Sequence, residues 1–485
     1  MLKPRLVVRN LFAMGSGHVI DRLLAMVLTA YLARVLGPAA LGMVGIGMTM
    51  LRFGTALVVG GTQNLGVRAV ARAPANIPDT YARVTGFRLL SALILVALGL
   101  ATLKWVPGWL GIPANFLLMY LLILFVQSFA LRWLFTGLEK MHIVAGLGIT
   151  DSALALALTV AVVGGPDDLL RVPIAHLVAT VAVVGWAQWW AHRRYAGLGI
   201  NLNASALRET GRESLAISLS AWLDAIILQG AVVFLGILAH NTAMAGEFLA
   251  SQRIVLTLYG LALLLPGVVF PATARLVHTD QAQAVDLQDR LIRINLTLLM
   301  PLVVAGVYFA DEIVVILYGD GFAAAAMVLK LMLWSVPLVV MYNALRQTLM
   351  AAAIIRPIFV TALLGAVTHV LLAWLLIPEY GLRGAAIANI SAFAVTVVSA
   401  VFYVHASLKR IPMSLNLAGP VAATAVGYAA LVFTGNWHWI AQLAVFALAY
   451  GATALLTGSV SREELRTLLA NLPGLGKRAK REPRE

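Results

Sequence analysis

The chain has 485 residues, 61% of them hydrophobic and only 12% charged. So much apolar surface cannot be hidden in a water-soluble core, which excludes a soluble globular protein and predicts an all-α polytopic membrane protein. The net charge of +14 does not point to nucleic acid, because the basic residues fall in short clusters between apolar runs, the pattern that orients a protein in an inner membrane.

The sequence has no cysteine, so disulfides and thiolate metal sites are both excluded. The N-terminal MLKPRLVVRN is basic, but the apolar segment after it holds Asp21 and Arg22 and leads into further spans. It is read as a retained first helix rather than a cleaved signal. Apolar runs of about 20 residues, the length that crosses ~30 Å of hydrocarbon, fall at 13–35, 42–63, 86–106, 115–135, 143–164 and 170–191. The second half adds 214–239, 244–270, 291–309, 322–345, 357–377, 382–405, 416–434 and 437–457. Fourteen transmembrane helices are therefore expected.

Loop charge tests this count, since inward-facing loops collect Lys and Arg. With both termini cytoplasmic, the inner segments hold Lys3, Arg5 and Arg9, then Arg68, Arg72 and Arg83, and later Lys140, Arg193, Arg194, Arg208, Arg212, Arg275, Arg290, Arg346, Arg356, Lys409 and Arg410. The outer loops keep Lys104, Arg171 and Arg383 and carry the acids Asp167, Asp168, Asp311, Glu312, Asp320 and Glu379. No loop is long enough for a soluble domain; the segments near 192–213 and 271–290 read as amphipathic connectors. The tail KRAKREPRE reads as a basic segment that fixes topology and is drawn to membrane lipids with anionic headgroups, at about 1 kcal/mol per basic residue near the surface. Pro173, Pro266, Pro301 and Pro337 fall inside expected spans, where each would remove a backbone hydrogen bond and kink the helix.

Charged residues within apolar spans are the informative set, because each costs roughly 2.5–3.5 kcal/mol near a bilayer centre. These are Asp21, Arg22, Arg34, Arg52, Asp151, Asp224, Glu247, Arg253 and Lys330. Arg34, beside the LGP turn, can reach an interface by snorkelling. On the first helix His18, Asp21, Arg22, Ala25 and Thr29 form one polar stripe. Arg22, Arg52, Arg253 and Lys330 are expected to line a cationic chamber suited to a phosphate-bearing substrate, since Arg binds phosphate bidentately and Lys offers a compact charge. Structural ion pairing is the competing reading for the same residues. Asp21 and Asp224 are the ion-coupling candidates, as a carboxylate desolvated in a bundle can take up and release a proton; a polar contact with Ser220 or Arg22 is the alternative. Asp224 follows Asp21 by the same interval as Arg275 follows Arg72, which fits the paired halves around a central site from which secondary transporters are built.

His369 and His405 read as packed or interfacial, and Trp186, Trp189 and Trp190 as an aromatic belt. GMVGIG and GAVTHV permit close helix packing. No P-loop, HExxH or GxSxG occurs, so the chain is not expected to be an enzyme and no cofactor is expected.

The stretches LARVLGPAALGMVGIGMTM, ADEIVVILYGDGFAAAAMVLKLM and IPEYGLRGAAIANISAFAVTVV resemble the polysaccharide biosynthesis, or oligosaccharide flippase, family of the multidrug/oligosaccharidyl-lipid/polysaccharide exporter superfamily. The resemblance implies two pseudo-symmetric six-helix lobes around a central cavity, at 1–195 and 196–410, then two C-terminal helices at 411–460 and the basic tail at 461–485. It implies a flippase moving a polyprenyl-pyrophosphate-linked oligosaccharide across the bacterial inner membrane for O-antigen, capsule or exopolysaccharide assembly, driven by the membrane potential or an H+ or Na+ gradient. A glycan polymerase and a chain-length regulator are the implied partners. Related lipid II flippases carry cavity arginines on the first, second and eighth helices, as Arg22, Arg52 and Arg253 are placed here. The competing readings are an ion-coupled multidrug antiporter, a lipid II flippase and a membrane glycan polymerase.

Overall fold

The computed structural model describes residues 4–408 and 417–459. Lys3, Lys409, Arg410 and the basic tail lie outside the described residues, as does the side chain of His18. Every regular element among the described residues is helical. Helix α1 (Pro4–Arg72) is two arms broken at Gly37. Helices α2 (Ile77–Thr102), α3 (Val106–Leu110), α4 (Ala114–Gln127), α5 (Arg132–Gly137), α6 (Met141–Val162) and α7 (Arg171–Arg194) follow. The second half comprises α8 (Ala204–Leu238), α9 (Thr242–Ala262), α10 (Leu264–Thr279), α11 (Gln281–Tyr308), α12 (Ala310–Tyr318), α13 (Ala323–Met332), α14 (Ser335–Ala351) and α15 (Ile355–Leu408). Helices α16 (Ala418–Phe433) and α17 (Trp439–Leu456) close the chain.

Nine described helices are long and apolar enough to cross a membrane, and the protein is a multi-pass membrane protein. Two of the nine, α1 and α15, each supply two crossings because Gly37 (φ 76°) and Gly381 (φ 52°) take conformations closed to residues with a Cβ. The bent pair α13 and α14, with a 44° turn between them, makes one more. Helices α9 and α16 complete the correspondence with the fourteen expected runs; α9 is less apolar because it carries Glu247, Ser251, Gln252 and Arg253, and α16 is short. Large apolar side chains such as Trp374, Phe402 and Leu448 face outward, as a hydrocarbon surround permits.

The structure corrects several local expectations. Pro173 lies in the first turn of α7, where the missing N–H has no helical acceptor to lose, while Pro266 and Pro337, in the first turns of α10 and α14, each follow a break in an expected span. Only Pro301, of the four, sits inside a helix, α11. The expected outer loop after residue 309 contains α12, too short for a span yet apolar enough to pack Ala310, Val314 and Tyr318 inward. Arg34, exposed beside the LGP turn, donates through its guanidinium to the carbonyls of Ile316 and Leu317 at the end of α12, a partner the sequence did not reveal. That cation satisfies acceptors a helix C-terminus leaves open.

The central core runs through both halves of the chain, with Leu32, Ile46, Ile123, Val232, Phe248 and Val328 buried in one cluster. Helix α1 is the hub, packed on α2, α4, α5 and α6 of its own half and on α8 and α9 of the other. At one end of the bundle its backbone meets α9 so closely that a Cβ on Gly42 would lie 1.7 Å from the Thr242 carbonyl oxygen, and one on Gly246 2.0 Å from that of Pro38. At the other end, a Cβ on Gly61 would lie 1.9 Å from the Ser214 carbonyl oxygen of α8, and the Gly61 N–H donates to Ser218 Oγ at 2.9 Å. This second end carries Arg68, Arg72, Arg83 and Arg208, and is termed the basic end. Helices α16 and α17 attach to α11 through a separate small cluster that includes Phe446 and Tyr450, with Tyr450 donating to the Thr297 carbonyl at 3.0 Å.

Candidate functional site

Between the two glycine contacts lies a cavity of about 720 Å³. Its wall is built from both arms of α1 with α4 to α9, and includes Asp21, Arg52, Arg132, Asp151, Asp224 and Arg253. The polar stripe expected on the first helix is real in part: Asp21, Ala25 and Thr29 all face this space. Asp21 and Asp224, the two carboxylates that the sequence spacing paired, line it together.

Arg52 comes from the second arm of α1 and Arg253 from α9, so the cavity gathers two guanidinium groups about 200 residues apart in sequence. Arg52 exposes its side chain to the cavity and has no ion pair among the described residues. Arg253 is only 8% exposed; one guanidinium nitrogen lies 3.2 Å from Met48 Sδ, and its Nε has no hydrogen-bond partner. The two stand within electrostatic reach of each other and of Arg22. Arg22 itself lies behind the lining, its stem packed beside Gly260 of α9. Lys330 is elsewhere: its ammonium pairs with Asp311 of α12, and the expected compact charge does not reach the cavity. Glu247 of α9 is not among the lining residues either.

The carboxylates are held unequally. Asp224 receives an ion pair from Arg346 of α14 at 3.2 Å and a long hydrogen bond from the Tyr342 hydroxyl at 3.5 Å; the Ser220 hydroxyl donates instead to the Ala216 carbonyl, while Arg22 lies within electrostatic reach of Asp21. Asp21 accepts a hydrogen bond from the Ser152 hydroxyl of α6. Asp151, one residue earlier on α6, keeps Oδ1 without a hydrogen-bond donor. His369 is a structural group, its Nδ1 3.0 Å from the Ile226 carbonyl oxygen and its ring edge-on to Phe234.

Several polar wall residues escaped the sequence reading. Arg132 and His176 line the cavity from α5 and α7, and Gln63, Gln127 and Gln229 add neutral donors. Arg88 of α2 is fully buried just behind the wall, donating to Thr62 Oγ1 at 2.7 Å and to the Ala130 carbonyl at 2.8 Å, with no carboxylate beside it. Their signal was present, since Arg88, Arg132 and His176 all fall inside apolar runs. At and just behind the wall, six guanidinium groups (Arg22, Arg52, Arg88, Arg132, Arg253, Arg346) face three carboxylates (Asp21, Asp151, Asp224). The excess is positive in a bundle interior where bare charge is costly, so the cavity favours an anion.

A helical bundle with a polar central cavity between two closely packed ends defines a transporter-type membrane protein. The chain matches the family of polysaccharide biosynthesis proteins over residues 7–277 and belongs to it. Its fold is similar to that of the lipid II flippase MurJ in an inward closed conformation, with a TM-score of 0.74 at 12% identity, covering 91% of this chain and 97% of that one. An inward-facing multidrug resistance MATE family transporter of the MOP superfamily gives a TM-score of 0.60 at 16% identity, covering 82% and 99%. An outward-facing transporter of the same family gives 0.57 at 15% identity, covering 83% and 95%. None of the curated proteins matches the sequence.

Proposed function

We propose that the protein is a flippase that carries a polyprenyl-pyrophosphate-linked oligosaccharide across the bacterial inner membrane by alternating access, for O-antigen, capsule or exopolysaccharide assembly. The observation that carries this reading is the pair Arg52 and Arg253, two guanidinium groups with no ion-paired carboxylate among the described residues, facing one cavity. A pyrophosphate supplies the two acceptor faces such a pair can grip bidentately. Arg22, behind the wall, strengthens the field, and the glutamine side chains of the lining suit sugar hydroxyls. Halves at 1–195 and 196–410 rock about this midplane site while the lipid tail stays in the bilayer; both termini are cytoplasmic, and 411–460 is an appendage.

Drive comes from the membrane potential or from an H+ or Na+ gradient, moving one charge through 100 mV being worth roughly 2.3 kcal/mol. Of the two coupling candidates, Asp21, which has a hydrogen bond from Ser152 and the arginine field around it but no ion pair at contact distance among the described residues, is the freer to exchange a cation, and Asp224 is already neutralised by Arg346. A glycan polymerase and a chain-length regulator would take over the product.

Purified protein in proteoliposomes, supplied with a polyprenyl-pyrophosphate-linked sugar on one leaflet, tests the reading. Translocation is expected to fall by about tenfold or more in Arg52→Gln and in Arg253→Gln, at normal expression and unchanged melting behaviour. Unchanged flipping in both variants would make the arginines scaffold. Exchange of cationic drugs for protons or sodium, with lipid-linked sugar ignored, would instead identify a multidrug antiporter.

A further inference from the structure

A second basic recess, of about 170 Å³, lies at the basic end, apart from the central cavity. Arg68 and Arg72 reach it from the last turns of α1, Thr80 and Arg83 from the start of α2, and Glu213 closes it from α8. Topology signals alone would explain basic residues on this side, but not their convergence on one recess from two helices. Arg68 and Arg72 are four residues apart on one helix face, where like charges repel, and neither has an ion pair among the described residues. Arg83 has one loose partner, Glu209 at 3.6 Å, with more than half of that carboxylate side chain exposed. The recess thus carries three guanidinium groups against a single lining carboxylate.

Depth in the membrane narrows the ligand. The apolar run of the second arm of α1 ends near residue 63 and that of α2 begins near 86. Arg68, Arg72, Thr80 and Arg83 therefore sit one to two turns beyond the hydrocarbon, at the level of lipid headgroups. Its volume equals that of about five or six waters, room for a phosphate group. Arginine forks match phosphate oxygens, and anionic headgroups concentrate basic side chains at this depth. We propose that Arg68, Arg72 and Arg83 form a binding site for the phosphate of an anionic phospholipid headgroup in the leaflet at the basic end. The ligand wedges between α1, α2 and α8 and relieves the repulsion among the three arginines. Because the site is read by lipid binding and not by transport, its test stands independently of the flippase reading.

Native mass spectrometry of the full-length protein, titrated in detergent with phosphatidylglycerol, phosphatidylcholine or inorganic phosphate, tests the site. Wild type is expected to retain one phosphatidylglycerol in preference to phosphatidylcholine. Arg68→Gln/Arg72→Gln is expected to weaken that binding by about tenfold or more, while Arg68→Lys/Arg72→Lys retains most of it and Lys104→Gln, at the opposite end, leaves it unchanged. All four proteins should elute as the same monodisperse species. Equal retention by the double glutamine variant, or equal affinity for phosphatidylcholine, would overturn the proposal. Inorganic phosphate bound as tightly as phosphatidylglycerol would also overturn it, by making the ligand a free anion.

Discussion

At the scale of single residues, the wall of the cavity shows how a bundle interior tolerates charge. Asp224 is held by Arg346, with side chains 17% and 33% exposed, and removing one member leaves the other desolvated and alone. Arg346→Gln is expected to lower stability by about 1–3 kcal/mol, read as a fall in melting temperature of the purified protein. The double change Asp224→Asn/Arg346→Gln should recover part of that loss, because the cost arises from the orphaned charge and not from losing the pair. Arg88 has no such carboxylate and depends on neutral acceptors, so Thr62→Val should destabilise the fold while leaving every charge in place. Much of this was legible in the sequence as charge within apolar runs. The partners were not: Arg346 reads as a loop charge at the end of a span, and only the packing of α14 among α9, α10, α11 and α15 brings it to Asp224 of α8. Lys330 reads as equally deep, yet α12, invisible as an element because it is too short to span, brings Asp311 to it.

At the scale of elements, glycine decides where helices from the two halves can touch. Gly42 and Gly246 bring α1 and α9 together at one end, and Gly61 brings α1 to α8 at the other. A valine at 42 would place its Cβ on the Thr242 carbonyl, which no rotamer relieves because the obstacle is backbone. Gly42→Val is therefore expected to hold that end apart. The chain has no cysteine, so a single Ala221→Cys in the cavity wall is a unique probe. In Gly42→Val its labelling by a membrane-impermeant maleimide added at the α1–α9 end should rise severalfold over the parent; equal labelling would mean the contact does not gate the cavity. The spans themselves were legible, since runs of about 20 apolar residues leave few alternatives. Pro173 was misplaced because hydropathy cannot tell the first turn of a helix from its middle, whereas Pro266 and Pro337 each follow a break in their expected span, the second bent by 44°.

At the scale of the whole molecule, the main core joins both halves, whereas α16 and α17 rest on α11 through their own small cluster. Tyr450→Phe, which deletes the bond to Thr297, should cost about 1 kcal/mol and loosen these two helices. Proteolysis should then clip within α16 and α17 sooner without reducing sugar-lipid binding to the cavity. The sequence singled out Asp21 and Asp224 as charges within apolar runs, and the structure sets both on one cavity. The contribution of α5 and α7 to that cavity was not legible, since hydropathy carries no information on which face of a helix meets which neighbour.

The position of α1 as the hub has a consequence for how the protein is made. Helix α1 packs against α8 and α9, which emerge some 200 residues after it, roughly 10–40 s at ordinary elongation rates. Throughout that interval Asp21, Arg22 and Arg52 must wait in the insertion machinery or at its lateral exit without their final neighbours. Nascent chains halted before Ala204 should therefore remain crosslinkable to the translocon through α1, and release should follow only once Ala262 has been synthesised.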